Sequence, residues 1–298
     1  MAKISNAFDT YSAQADREEL SDIIYNISPM QTPFLSSVGK SNVSNVVFDW
    51  QTESLPTPSS SGKLEGFELS RSASTATVRE SNVCMISSRD ATVTGSQEAS
   101  DAAGKNSEMA HQLALMSKAL KRDMEEALVG NIAKVSGSAS AARQTRSLET
   151  WYQSNVNKAS DGANGSASSA RTNGTRRDLT EAMVKDVQQQ CFSNGAEPSI
   201  LMCGPYNKSV ISGFTGRSQA RQFVDANVVE ASVSIYSGDF GELRVVPSNR
   251  SREQAVHLLD PEFAGVAYLR DFETIDISTI GDAQTKMIVV EYGLEMKN

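Results

Sequence analysis

Residues 18–40 read EELSDIIYNISPMQTPFLSSVGK and combine a helical apolar pattern with two proline stops. Leu20, Ile23, Ile24 and Ile27 recur at i, i+3, i+4 and i+7, the spacing of one helix face. Ser28-Pro29 ends that run, because the residue before a proline is pushed out of the α region. Thr32-Pro33 repeats the stop four residues on and presents Phe34 and Leu35 as an apolar plug. A short helix, two proline corners and a hydrophobic anchor describe an arm that docks on another surface. Ile27, Pro29, Pro33, Phe34 and Leu35 are therefore candidate contacts between subunits. The arm contains no catalytic group.

The rest of the composition agrees with a chain that finds part of its core on other chains. Hydrophobic residues make up 39% and aromatics 6% of the 298 residues, below the usual apolar share of a compact domain. A net charge of -8 argues against a dedicated nucleic-acid binder, which carries a basic domain or stripe. Cys84, Cys191 and Cys203 are an odd number without paired spacing, which fits buried thiols in a reducing compartment. The N-terminal residues lack the apolar run of a signal peptide, and no window approaches a membrane span. Synthesis in a cytoplasm is the expectation, and the Asn-x-Ser/Thr sequons are read as products of a Ser- and Asn-rich composition.

Downstream of the arm, Val43 to Trp50 reads as a strand, followed by the turn-rich SLPTPSSSGKLEG. Residues 70–87 offer a second extended run, with Ala76, Val78 and Ile86 alternating against Thr77, Arg79 and Ser87. Together they predict a β-hairpin too poor in large apolar residues to own a core. A lone two-stranded hairpin is marginal in water, so Trp50, Phe67 and Leu69 are expected to pack on a neighbour. Gly95-Ser96 opens the longest helical signal. Met109, Leu113, Met116, Leu120, Met124 and Ala127 form one stripe, and residues 106–130 predict a helix of roughly 37 Å. Asp123, Glu125 and Glu126 read as a solvated face of that helix.

Residues 137–175 are rich in small polar residues, with Leu148, Trp151 and Tyr152 as an island that pins the connection down. A second amphipathic helix is predicted over 177–195, with Leu179, Met183, Val187 and Cys191 on its apolar face. Short strands follow at 198–204, 242–247 and 255–259, with a brief helix between the first two at 206–214. The tail, 266–295, reads as three strands: VAYLRDF, ETIDIST and TKMIVVEYGLE. Met109, Leu113, Met116, Leu120 and Met124 are expected to face these tail strands around Ile277, Ile288 and Val290. The fold class is α+β.

The search for chemistry eliminates. His111 lies within the long helix and His257 within a strand, and neither has the spacing of a metal ligand. The nucleophile elbow Gly-x-Ser-x-Gly is absent. Gly39-Lys40-Ser41 mimics the end of a phosphate loop, but Phe34 stands where its first glycine belongs. The expectation is no catalytic residue, no cofactor and no metal.

Several separated segments resemble the major capsid proteins of tailed phages, the family with the Hong-Kong-ninety-seven-type shell fold. They include Asp22-Ile23-Ile24-Tyr25-Asn26-Ile27-Ser28-Pro29, Thr32-Pro33-Phe34, Val93 to Glu98 and Leu120 to Glu125. Arg146 to Asn155, Leu179-Thr180-Glu181, and the close from Gly281 to Leu294 are similar as well. The resemblance implies an N-terminal arm at 1–45 and an extended hairpin, the E-loop, at 46–95. It implies a peripheral domain with a spine helix at 96–136 and 263–298, and an axial domain at 137–262. By the same resemblance the chain forms hexamers and pentamers of an icosahedral shell around double-stranded DNA, which it touches non-specifically. Portal and decoration proteins are implied partners, with a separate scaffolding protein or none, since only some twenty residues precede the arm motif. On the residues alone, another oligomeric structural protein (a decoration, tail-tube or surface-layer subunit) and a cytosolic α+β enzyme with a dispersed site stay open.

Overall fold

The computed structural model describes residues 32–56, 58, 60–68, 74–100, 105–214, 233–279 and 281–297. The helix expected over the first half of the arm, with Ile27 and Pro29, lies outside those residues, as does Leu69. The described chain begins with α1 (Pro33–Ser37). Thr32-Pro33, expected as a stop, is instead a helix start: proline at the first helical position gives up an N–H that has no intrahelical partner anyway. There follow β1 (Gly39–Asn42), β2 (Val47–Thr52), β3 (Val78–Val83), β4 (Met85–Thr94) and the short α2 (Gly95–Ala99). The spine, α3 (Glu108–Val129), is 22 residues and roughly 33 Å long. Ser107 caps it, its hydroxyl accepting from the Ala110 N–H at 3.2 Å.

The middle of the chain supplies α4 (Leu148–Trp151), α5 (Glu181–Ser193), β5 (Ile200–Cys203), α6 (Pro205–Ser212), β6 (Ile235–Gly238), β7 (Gly241–Pro247) and β8 (Val256–Leu259). Two 14-residue strands, β9 (Ala264–Ile277) and β10 (Ala283–Met296), close it. The tail is thus one long hairpin and not three strands. Nothing between Phe272 and Glu273 breaks an extended chain, and the turn falls where Gly281 takes φ 78°.

The described residues form three sheets. One has the order β1-β9-β10-β4, one is the β2-β3 pair, and one has the order β6-β7-β5-β8. β1 runs parallel to β9, so the chain leaving α1 is stitched directly to the tail. The run 70–87, expected as a single arm of the hairpin, divides at Cys84. Up to Val83 it pairs with β2, and from Met85 it becomes the edge of the long sheet beside β10. The Cys84 N–H donates to Val46 O at 2.8 Å and its side chain is buried, which fixes the corner. The hairpin is accordingly shorter at its root than residues 46–95.

The main core lies between α3 and the long sheet. Leu120, Met124 and Leu128 meet Ile288, Val290, Tyr292 and Leu294 there, with Leu148 and Met202 closing the sides. Leu113 and Met116 are half-buried and bridge to a smaller cluster of Ala91, Val93 and Met109. Ile277 departs from expectation: it is 42% exposed, at the far tip of β9. A second core sits under α5 and α6, where Val184 and Ile211 cover Leu201, Cys203, Leu243 and Val245. α5 starts at Glu181 after Thr180 and is turned by about one residue from the expected face: Val184, Gln188 and Cys191 are buried, while Met183 and Val187 flank them. All three cysteines are free and buried.

Candidate assembly interface

The hairpin is rooted in its own subunit by residues that alternate along the strand. The period of two puts Phe48 and Trp50 on one face of β2, and that face turns onto Ala267 and Leu269 of β9. Trp50 stacks near Phe48 at 5.7 Å and near Trp151 at 5.5 Å between ring centroids, and its Nε1 donates to Met296 O at 2.7 Å. The Arg146 guanidinium lies 3.7 Å over the Trp151 ring. Trp50, expected on a neighbour, is therefore engaged by its own chain.

Asn82 is the buried pin of the root. Its Oδ1 accepts from the N–H groups of Arg146 and Val83, both at 2.9 Å. Its Nδ2 donates to Leu294 O at 2.7 Å and Arg146 O at 3.3 Å. That uses both donors and both acceptor sites of one amide and joins three segments far apart in sequence. Gly293 is needed beneath it, since a Cβ there would lie 2.6 Å from the Phe48 ring and 2.9 Å from Val83 O.

Beyond Thr52 and Val78 the ladder stops, and the chain between them is solvated wherever it is described. Leu55 is 94% exposed, Leu64 85% and Phe67 51%, with Lys63 Nζ 5.9 Å over the Phe67 ring. These are large apolar side chains that belong to no core cluster among the described residues. Val47, on the outer face of the paired strands, and Val78, at the open end of the ladder on the Phe48–Trp50 face, are also exposed.

The arm behaves differently. Phe34 is 0% exposed and packs in the main core with Leu120 and Met124; Leu35 and Pro33 are half-buried beside it. The plug expected to dock on a neighbour instead enters its own subunit, because β1 ties the following residues to β9 and leaves Phe34 directly over the spine. Glu125 is corrected with it. It is fully buried, with Oε1 accepting from the Phe34 N–H at 2.8 Å and Oε2 from the Leu35 N–H at 2.9 Å. Burial raises its pKa from the ordinary carboxylate value, and the two backbone bonds act against that rise. Glu126, its neighbour, is the solvated one and meets Arg250 at 3.4 Å.

A cleft of about 1070 Å³ lies between α5, β8 and the connection around residues 152–177. It gathers Glu149, Tyr152, Arg171, Arg252 and His257. His257 is buried, neither ring nitrogen has a hydrogen-bond partner among the described residues, and its pKa is lowered to about 4 by burial, with Arg171 and Arg252 adding to the effect. Glu149 meets Arg252 at 3.2 Å, and burial raises its pKa. No hydroxyl or thiol is hydrogen-bonded to His257 or Glu149 among the described residues. No His/Cys/Asp/Glu group there is placed to hold a metal, and no described helix is long and apolar enough to cross a membrane.

A spine helix laid over a long sheet, a second sheet built from the middle of the chain, and a rooted hairpin with a bare apolar tip define a shell-forming subunit of the Hong-Kong-ninety-seven type. The chain belongs to the SU10 major capsid protein family, whose model it matches over residues 3–298. It is a phage major capsid protein, it assembles into the head shell, and its place is the virion. It is 23% identical over 330 residues to the major capsid protein of Escherichia phage Phieco32, spanning 98% of this chain and 94% of that protein. In fold it is similar to a chain from the capsid of a native GTA particle, with a TM-score of 0.65 at 12% identity, covering 98% of this chain and 96% of that one. It is also similar to a chain of the mature capsid of bacteriophage PhiM1, with a TM-score of 0.55 at 11% identity, covering 100% and 94%.

Proposed function

We propose that shell closure runs through the hairpin, which acts as the E-loop lying over an adjacent subunit of the same hexamer or pentamer. Leu55, Leu64 and Phe67 are the contacts in this reading, and Leu69, Ile27 and Pro29 are further contacts proposed from the sequence. Residues 96–136 and 263–298, with the spine and the β9–β10 hairpin, serve as the peripheral domain, and residues 137–262 as the axial domain. The shell encloses double-stranded DNA, which meets the acidic subunit through loose, non-specific contacts. A portal, decoration proteins and a separate scaffolding protein are the expected partners. The subunit performs no chemistry of its own.

The observation that carries this reading is the tip. Exposed apolar side chains of this size, held out on a rooted two-stranded stalk, gain burial only from another molecule. Deleting residues 56–66 tests it. The variant subunit keeps its melting temperature, because the tip adds nothing to the core, and closed particles disappear from electron micrographs. Normal yields of closed shells from the deletion would overturn the assignment.

A further inference from the structure

We infer that Glu125 is the positioning residue of the arm: its buried carboxylate fixes the orientation of α1, and through it the contacts proposed for the arm residues that precede Thr32. This rests on the reading of the arm as an intersubunit element.

The first turn of α1 has few ways to satisfy its donors. Pro33 has no N–H, Ser36 N donates to Thr32 O at 3.1 Å, and the Thr32 side chain provides no cap. That leaves the Phe34 and Leu35 amides, and Glu125 takes one with each oxygen, from 91 and 90 residues along the chain. Phe34 is sealed from water, so its amide has no solvent to fall back on.

The surroundings make the carboxylate unusual. Of the charged groups nearby in sequence or packing, Asp123 pairs with Arg89, Glu126 with Arg250, Lys121 lies over Phe272 and Lys40 over Tyr268, while the buried Nε of Arg122 has no hydrogen-bond partner among the described residues. Among the described residues Glu125 has no ion-pair partner. A carboxylate buried without a cation is costly, and the two charge-assisted bonds from successive amides are what offset it. A leucine would fill the same space between α3 and Phe34. What the carboxylate adds is direction, since two bonds to adjacent N–H groups fix both the tilt and the rotation of α1.

Amide hydrogen exchange on the isolated subunit, combined with particle yield, tests this in Glu125→Gln and Glu125→Leu. In the glutamine variant one oxygen still accepts while the amide nitrogen opposes the second N–H. Exchange at Phe34 or Leu35 then rises about ten-fold or more, protection around Leu120 is unchanged, and shell yield falls. In the leucine variant both amides lose protection, the rest of the subunit keeps its exchange pattern, and shells are lost. Wild-type protection at both amides in both variants would overturn the inference. A third variant lacking residues 2–31 separates the two claims. Shells at wild-type yield from it overturn the arm as a contact; its failure to assemble, alongside normal shells from both Glu125 variants, overturns the role of Glu125 alone.

Discussion

The indole N–H of Trp50 donates to the backbone carbonyl of Met296 at 2.7 Å, which ties the root of the hairpin to the last strand, 246 residues further on. With Phe48 and Trp151 on either side, this bond sets where the stalk leaves the body and so where its tip points.

Trp50→Phe keeps an aromatic ring in the stack and removes the donor. A net loss of about 0.5–1.5 kcal/mol is expected, seen as a small drop in the melting temperature of the isolated subunit. Amide exchange in β2 and β3 should quicken while β5 and β7 are unaffected. Unchanged exchange in the hairpin strands would show that the bond does not hold the root.

Gly293→Ala places a methyl group against Phe48 ring carbons at 2.6 and 2.9 Å and against Val83 O at 2.9 Å. Because a backbone oxygen is one of the obstacles, turning the Phe48 ring cannot relieve the clash alone. Overpacking of this kind costs about 1–3 kcal/mol. The urea midpoint of the subunit should fall, and the Phe48–Trp50 face should lift from β9.

Leu120→Ala empties the centre of the contact between the spine and β10, where the side chain is fully buried. A loss of about 2–5 kcal/mol is expected, appearing as instability of the subunit before any assembly step. A midpoint shift in urea measures it, and a shift near zero would place Leu120 outside the core.

His257 gives the subunit an acid-sensitive component. Its folded pKa of about 4 lies below the ordinary histidine value of 6.5, so the unfolded chain binds more protons between those two values. The contribution is complete above about pH 6.5 and is lost as pH falls toward 4, on the order of 3 kcal/mol in total. The comparison to make is wild type against His257→Gln. The difference in their unfolding free energies should shrink across that window and stay level above it.

The spine was legible because its stripe of Met and Leu obeys one period over six turns, and a helix with such a stripe needs a sheet to cover it. The bare hairpin was legible from Thr, Ser and Pro where a sheet would carry large apolar groups. Phe34 was not, since an apolar plug after a proline looks the same whether it enters a neighbour's groove or its own core. Glu125 stands beside Glu126 in DMEEAL, and its partners are backbone amides, which leave no mark in a residue pattern. Asn82 and Arg146 escaped notice for the same reason: Asn82 bonds only main-chain atoms, and Arg146 bonds one main-chain carbonyl and a nearby threonine. Glu291, buried between Arg143 and Arg270 at 2.6 and 2.9 Å, interrupts the apolar run from Met287 to Leu294, and that contrast was a readable signal for a buried ion pair.

Leu55, Leu64 and Phe67 also bear on when particles form. Each side chain covered by a neighbour contributes roughly 1.5–3 kcal/mol, while bringing two free subunits together costs roughly 4–15 kcal/mol in lost freedom. A pair joined by one hairpin is therefore scarcely populated. On the reading proposed above, every subunit of a closed lattice both extends a tip and receives one, so each added copy gains several contacts for a single loss of freedom. Growth then has a concentration threshold: dilute subunits stay apart, and above the threshold added protein goes into complete shells while the free pool stays nearly constant.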